Sequence, residues 1–282
     1  MGSSFGPSCP GRRPAARAAK LQALRRAALA AWAVLAAVLL VSWPGAATTY
    51  PLHLADDAGN PVTLAAPPRR VVSLVPSLTE AVCALGACDR LVGVDDYSDY
   101  PAEVASLPRL GGVYDPNVER IVALRPDLVL LSKYGRLPEA LRQAGVTVFV
   151  FESETLEDAF RNLSTLGRLL DREDAAGRLV ESLRSEIARV AELAQAAGPA
   201  PTVYYEIDPT PYAAGPGSFI GTLLERAGGR NVVPAELGPF PRISPELVIQ
   251  ADPEVIILGD APWGVTAREL AARPGWASLR AL

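Results

Sequence analysis

The chain has 282 residues, of which 49% are hydrophobic and 21% charged, so a globular protein large enough for two lobes is expected and a disordered one is excluded. Six of the 27 basic residues precede Tyr50, in a segment without acidic residues. The rest of the chain contains the other 21 basic residues and all 31 acidic residues, so its net charge is −10. This excess of acid disfavours nucleic acid and anionic membranes as partners of the folded part.

Residues 1–47 predict a cleavable export signal, and hence a periplasmic protein. A basic region is followed by the apolar stretch 27–41, a Pro44-Gly45 break and small residues at 45–47. The 15 apolar residues fall short of the roughly 20 that a membrane span needs, but an uncleaved membrane anchor remains an alternative.

Residues 48–69 predict a leading ribbon, and residues 70–171 an N-terminal α/β lobe. Strands and helices alternate in this lobe, which is typical of a parallel sheet. The predicted strands are residues 70–74, 91–94, 128–131 and 146–151. Cys83 and Cys88 flank the end of a predicted helix, and in an exported protein we favour a disulfide between them over two buried free thiols.

Residues 172–198 predict one long linker helix, because leucine, isoleucine and valine recur there at helical spacing. A C-terminal lobe follows at 199–282, with a strand at 203–207 and a helix at 219–227. We expect a single helical bridge to limit the hinge motion between the lobes. The chain stops at Leu282, where a further strand is expected, so we interpret this lobe as truncated.

A unit of 17 residues occurs twice, at 115–131 and again 127 positions later at 242–258. In each copy a capping residue, Asn117 or Ser244, opens a short helix that a proline ends. A continuous apolar run follows, which predicts a strand buried on both faces. The duplication predicts two Rossmann-like lobes with parallel sheets and a ligand cleft between them, at the carboxyl ends of the strands.

Aromatic residues are concentrated in the loops that should face this cleft, where they suit a broad amphipathic ligand. Those we select from loop position are Tyr97, Tyr114, Tyr134, Tyr212, Phe240 and Trp263.

Catalytic and metal sites have little support in the sequence. The single histidine, His53, precedes the first lobe, and no nucleophile motif or phosphate loop is present. We therefore expect no catalytic residue, no bound metal and no cofactor. A remote alternative is an α/β enzyme that uses the carboxylates of Asp95, Asp96 and Asp99, although a solvated polar loop explains these residues better.

Three motifs carry a resemblance to a known family: VGVDDYSDYP, DPNVERIVALRPDLVLLS and PFPRISPELVIQADPEVIIL. They resemble the cobalamin-binding proteins of ABC importers, within the helical-backbone (class III) substrate-binding proteins that also serve ferric siderophores and haem. The resemblance covers residues 71–282. It implies a monomer that delivers cobalamin or a related corrinoid to a permease dimer in the inner membrane.

The same resemblance implies roles for individual residues. Pro76, Tyr97, Tyr212 and Phe240 would line the corrin pocket, and Glu119 and Glu246 would dock onto arginines of the permease. The chain departs from the family where it reads Val113-Tyr114 and Lys133-Tyr134 in place of tryptophans. A ferric siderophore or haem is the alternative ligand, for which the basic residues Arg109, Lys133 and Arg242 would matter more.

Overall fold

The computed structural model describes residues 48–112, 115–133 and 137–282. The predicted signal at 1–47 and two predicted ligand residues, Tyr114 and Tyr134, lie outside these ranges. None of the helices within the ranges combines the length and the hydrophobicity that a membrane span requires.

The leading ribbon is an antiparallel pair of strands, β1 (Leu52–Ala55) and β2 (Pro61–Leu64). The side chains of Leu52, Val62 and Leu64 are buried in the core of the first lobe. The ribbon is therefore part of that lobe's hydrophobic core.

The N-terminal sheet has four parallel strands in the order β4 (Leu91–Val94), β3 (Val71–Ser73), β5 (Leu128–Ser132) and β6 (Val148–Phe151). Alternate residues of a strand enter different cores: Leu128 and Leu130 pack on one face and Val129 on the other. Burial on both faces explains the continuous apolar runs and confirms the predicted parallel sheet.

Four helices cover this sheet: α1 (Pro76–Ala84), α2 (Val118–Ala123), α3 (Leu137–Gln143) and α4 (Leu156–Leu169). Helix α1 is followed by Gly86, whose φ of +71° lies in the left-handed region that glycine tolerates. Cys83, in the last turn of α1, forms a disulfide with Cys88, which confirms the predicted pairing.

The linker helix α5 (Glu173–Ala196) packs against α4. The guanidinium of Arg184 donates two hydrogen bonds to the carboxylate of Glu157, at 3.0 and 2.6 Å, and lies over the ring of Phe160, 4.2 Å from its centroid. Helix α5 also packs Ala175, Ala176 and Leu179 against the core of the N-terminal lobe, and the exposed ion pair and cation–π contact add to this packing.

The C-terminal sheet is centred on β7 (Thr202–Asp208). Strand β10 (Val255–Leu258) pairs with it in parallel on one side; on the other lie the antiparallel β8 (Tyr212–Ala213) and the parallel β9 (Arg230–Asn231). The sheet is thus mixed, because β8 returns from β7 through a tight loop. Its helices are α6 (Phe219–Arg226), α7 (Pro245–Ala251) and α8 (Ala267–Ala272).

The sequence duplication is also a duplication of backbone and contacts. Asn117 caps α2 and Ser244 caps α7, and both helices end on a left-handed residue before proline, Arg125 (φ 47°) or Asp252 (φ 41°).

The residue after this proline, Asp127 in the first copy and Glu254 in the second, has the same role in both copies. Asp127 accepts hydrogen bonds from the N–H groups of Arg69 and Arg70 at 2.8 and 2.9 Å, and Glu254 accepts one from Thr202 at 2.8 Å. Each carboxylate therefore fixes the start of the neighbouring central strand, β3 or β7. We call this contact the carboxylate staple.

One expectation from the duplication is wrong. Strand β10 is not buried on both faces: Val255 and Ile257 are 38% and 36% exposed. The physical reason is that one face is only partly covered: Ile256 and Leu258 pack against the core, whereas Val255 and Ile257 point to the other face, which the described residues leave partly open. An apolar run identifies a strand but does not reveal which of its faces is covered.

A buried polar cluster lies in the C-terminal lobe. The carboxylate of Glu206 accepts two hydrogen bonds from the guanidinium of Arg273, both 2.6 Å, and one from the hydroxyl of Tyr204 at 3.0 Å. Asp260 is 3% exposed, and neither of its carboxylate oxygens has a partner among the described residues. Burial and the nearby charge of Glu206 raise the pKa of Asp260 above its ordinary value of 3.8.

The first prediction concerns the disulfide. The tryptic peptide of residues 71–90 contains both cysteines, and after denaturation without reductant it should resist alkylation. Replacing both cysteines by serine should lower the free energy of unfolding by less than the ~3 kcal/mol of a 15-residue loop, because the closed loop is short. Mass spectrometry of the peptide before and after reduction checks the bond; two alkylated thiols without reductant would contradict it.

The second prediction concerns Asp260. Because its pKa is raised in the folded state, its ionisation destabilises the fold as pH rises above about 4. Asp260→Asn removes that charge and supplies an N–H donor near Glu206, so it should raise the free energy of unfolding at pH 7 by about 1 kcal/mol.

The increase in the free energy of unfolding should become smaller as the pH falls toward 4, because the carboxyl group of Asp260 in the wild type then takes up a proton. Urea denaturation at several pH values measures it, with the exposed Asp99→Asn as the control for net charge. A destabilisation that is the same at every pH would contradict the explanation.

Candidate ligand-binding cleft

The carboxyl ends of three parallel strands meet at one cavity of about 340 Å³. The N-terminal lobe contributes residues at the carboxyl ends of β5 and β6 and in the segments that follow β3, β5 and β6. Ligands of α/β sheets bind at this edge. The C-terminal lobe contributes Phe240. The full lining is Val75, Ser77, Leu78, Ser132, Lys133, Phe151, Glu152, Ser153, Glu154 and Phe240.

The floor of this cavity is apolar. Leu78 belongs to the first turn of α1, and Phe151 is the last residue of β6, 4% exposed. The ring of Phe151 contacts the ring of Phe149, with centroids 4.7 Å apart. This aromatic contact stabilises the position of the Phe151 ring. Such a floor suits an apolar or aromatic ligand face.

Phe240 lies in a loop that the backbone holds in place. Ala213 N–H donates to the carbonyl of Pro241 at 3.0 Å, and Gly215 N–H donates to that of Pro239 at 2.8 Å. A Cβ on Gly215 would stand 2.2 Å from the carbonyl oxygen of Gly238, so this close approach requires glycine. The Phe240 ring is therefore presented by a fixed loop and is 43% exposed.

The lining also includes the charged residues Lys133, Glu152 and Glu154, which we call the charged wall. Lys133 forms an ion pair with Glu152, and its Nζ is 4.0 Å from the carboxylate of Glu154. The main-chain carbonyl of Glu154 also accepts a hydrogen bond from the N–H of Phe219, the first residue of α6, at 2.9 Å. Glu154 thus belongs to the cavity wall and to the contact between the lobes.

A second cavity, of about 380 Å³, adjoins this wall. It is lined by Asp57, Lys133, Glu152, Glu154, Asp158 and Arg161. Burial opposes ionisation of Asp158, but hydrogen bonds from Thr155 and Arg161 outweigh it and lower its pKa to about 2. Burial raises the pKa of Asp57, against the attraction of Arg161.

Tyr97 is positioned by a buried hydrogen-bond chain. The carboxylate of Asp95, 1% exposed, accepts from the N–H of Tyr97 at 2.8 Å and from the hydroxyl of Ser98 at 2.5 Å. Ser98 in turn contacts the hydroxyl of Thr79 in α1 at 2.8 Å. Asp95 therefore supports the loop, and its carboxylate faces the protein interior.

The enzyme alternative also involved Asp96 and Asp99. In the described structure neither of them shares a hydrogen bond with Asp95. Asp96 accepts a hydrogen bond from the N–H of Gly111 at 3.1 Å, so it too supports the loop. Asp99 is exposed. Within residues 48–112, 115–133 and 137–282, no group of three His, Cys, Asp or Glu side chains is arranged to hold a metal ion.

The remaining predicted ligand residues are placed as follows. Pro76 lies between the lining residues Val75 and Ser77, at the start of α1. Tyr97, Tyr212 and Trp263 are 65%, 43% and 79% exposed and lie outside the lining of the cavity. Their contact with a ligand stays a prediction.

Glu152 and Glu154 line the cavity but are not among the ligand residues predicted from the sequence. They directly follow the buried strand β6, and the rule that ligands bind at the carboxyl ends of parallel strands identifies them.

The two predicted docking residues occupy equivalent places. Glu119 and Glu246 are each the second residue of a short capped helix, α2 or α7, and both side chains are exposed. A carboxylate there also interacts favourably with the helix dipole. Exposure at both sites is what a docking contact requires.

Comparison with known proteins places this fold and cleft in a family. The sequence profile of the periplasmic binding proteins matches residues 71–282. A cobalamin-binding protein of Halobacterium salinarum is 34% identical over 222 residues, which are 76% of this chain and 60% of that protein.

Two solved structures are also similar. A periplasmic haem-binding protein from Pseudomonas aeruginosa has a TM-score of 0.66 and 31% identity, with 76% of this chain and 81% of that one covered. The periplasmic vitamin B12-binding protein of Vibrio cholerae has a TM-score of 0.61 and 26% identity, with 75% and 85% covered. With its two α/β lobes and the profile match over most of its length, the chain belongs to the periplasmic binding protein family.

Proposed function

We propose that this protein is an exported, monomeric substrate-binding protein that delivers cobalamin or a related corrinoid to the permease of an ABC importer. The observation that carries the proposal is the cleft cavity: Leu78 and Phe151 form an apolar floor, and Phe240 of the other lobe faces it. A corrinoid has a wide, apolar ring fringed by amides, which suits apolar contact together with hydrogen-bonding groups. The cobalamin-binding relative from Halobacterium supports the same ligand.

Haem is the second candidate, because the Pseudomonas protein at 31% identity binds haem. Tyr97 and Tyr212 are exposed, and a tyrosine can ligate haem iron. Haem also carries carboxylates, which a pocket usually pairs with basic side chains.

The basic residues expected to serve an anionic siderophore already have partners within the protein. Arg109 donates to the carbonyls of Asp95 and Ser98, Arg242 donates to that of Thr210, and Lys133 is paired with Glu152. Lys133 is thus neutralised by a carboxylate, and Arg109 and Arg242 lie outside the described lining of the cavity. A described lining without surplus positive charge favours the corrinoid over a trianionic or catecholate siderophore.

The ligand prediction is tested by calorimetric titration with cyanocobalamin, a ferric hydroxamate siderophore and haem. We expect cyanocobalamin to bind with micromolar or better affinity. Phe240→Ala should weaken it roughly tenfold, because a half-buried aromatic contact is lost, and Tyr212→Ala should weaken it as well.

Leu237→Ala is the matched control, because Leu237 is an exposed apolar residue just before the Phe240 loop and lies outside the cavity lining. It should bind as the wild type does. Tight haem or siderophore binding without any corrinoid signal would refute the proposed ligand.

The docking prediction concerns Glu119 and Glu246. Replacing both by alanine should leave corrinoid binding unchanged and weaken complex formation with the permease, because two charge-assisted contacts to arginines are removed. Each substitution should also cost about 0.3 to 1 kcal/mol of stability through the helix dipole. Glu139→Ala, an exposed acid in the first turn of α3, controls for the loss of a surface charge.

Pull-down and transport assays with the cognate permease measure the effect. Wild-type transport by the double variant would exclude a docking role for these residues.

A further inference from the structure

The charged wall of the cleft cavity contains more acid than base. Among the described residues that line the cavity, Lys133 is the one base, and it is shared by two carboxylates, in an ion pair with Glu152 and 4.0 Å from Glu154. Within the described lining, the two carboxylates therefore share a single cation.

The adjoining cavity continues this imbalance. Arg161 is paired with Asp158 and lies 3.5 Å from Asp57, so one cation again serves two acids. The lowered pKa of Asp158 keeps that carboxylate ionised at neutral pH. Across the described lining of the two cavities there are four carboxyl groups and two cations.

The opposite lobe supplies no compensating charge to the described lining, since its contribution there is the phenyl ring of Phe240. The side chain of Glu154 is 66% exposed, so its carboxylate is accessible to an incoming ligand.

We propose that Glu152 and Glu154 make this cleft selective for the charge of its ligand, favouring corrinoids that carry a positive charge or amide N–H donors over corrinoids that carry added carboxylates. The inference rests on the proposed function and specifies its substrate class. Carboxylates accept hydrogen bonds from amide N–H groups and attract cations, whereas a ligand carboxylate would meet like charge.

The test uses three corrinoids that differ in charge at one side arm and keep cyanide on cobalt. Cyanocobalamin is neutral, its monocarboxylate carries one negative charge, and coupling ethylenediamine to that carboxylate gives one positive charge. We expect affinity to decrease from the amine through cyanocobalamin to the carboxylate, by about fourfold for each unit of charge at a partly exposed site.

Two further measurements separate electrostatics from shape. Raising the ionic strength from ~0.01 to ~1 M shortens the Debye length from about 30 to about 3 Å and should bring the three affinities together in the unaltered protein. Glu152→Gln with Glu154→Gln should reduce the spread at low salt, and Glu139→Gln, an exposed acid outside both cavities, should not.

The outcomes are distinguishable. Equal affinities for the three corrinoids at low salt would overturn this inference and leave the proposed function standing. A spread that persists in the double glutamine variant would also overturn it, since the selectivity would then arise elsewhere. Failure of all three to bind would overturn the proposed function and this inference with it.

Discussion

The carboxylate staple is the contact on which the two-lobed architecture depends. Asp127 and Glu254 occupy the same position of the duplicated unit, and each binds backbone N–H groups where a central strand begins. This fixes where β3 lies against β5 and where β7 lies against β10, and hence which residues reach the carboxyl edge of each sheet. The carboxylate staple thus acts at the amino ends of β3 and β7, whereas the cleft residues lie at the carboxyl ends of the strands.

Much of this architecture could be predicted from the sequence because its determinants are local. A capping residue, a proline and an apolar run specify a helix and a strand within 17 residues, and repetition indicated two lobes. Which faces are covered is a tertiary property, so the exposure of Val255 was missed. The buried chain from Asp95 to Thr79 was missed for the same reason, since it joins a loop to a helix packed beside it.

The cleft combines two chemistries that are usually separated. Its floor and its C-terminal-lobe side are apolar, as in pockets for flat organic rings, while its remaining wall carries ion pairs with an excess of acid. Family membership fixes the fold and the position of the cleft, and relatives with this fold include cobalamin binders and a haem binder. Ligand identity therefore depends on side chains at strand ends, where a substitution leaves the cores beneath undisturbed.

The hydrogen bond from Phe219 to the carbonyl of Glu154 has a mechanical consequence. This contact joins the first turn of a C-terminal-lobe helix to the segment whose side chain forms the cavity wall. A rotation of one lobe against the other would either break this hydrogen bond or carry the Glu154 segment with it, and in the second case the cavity lining changes together with the angle between the lobes.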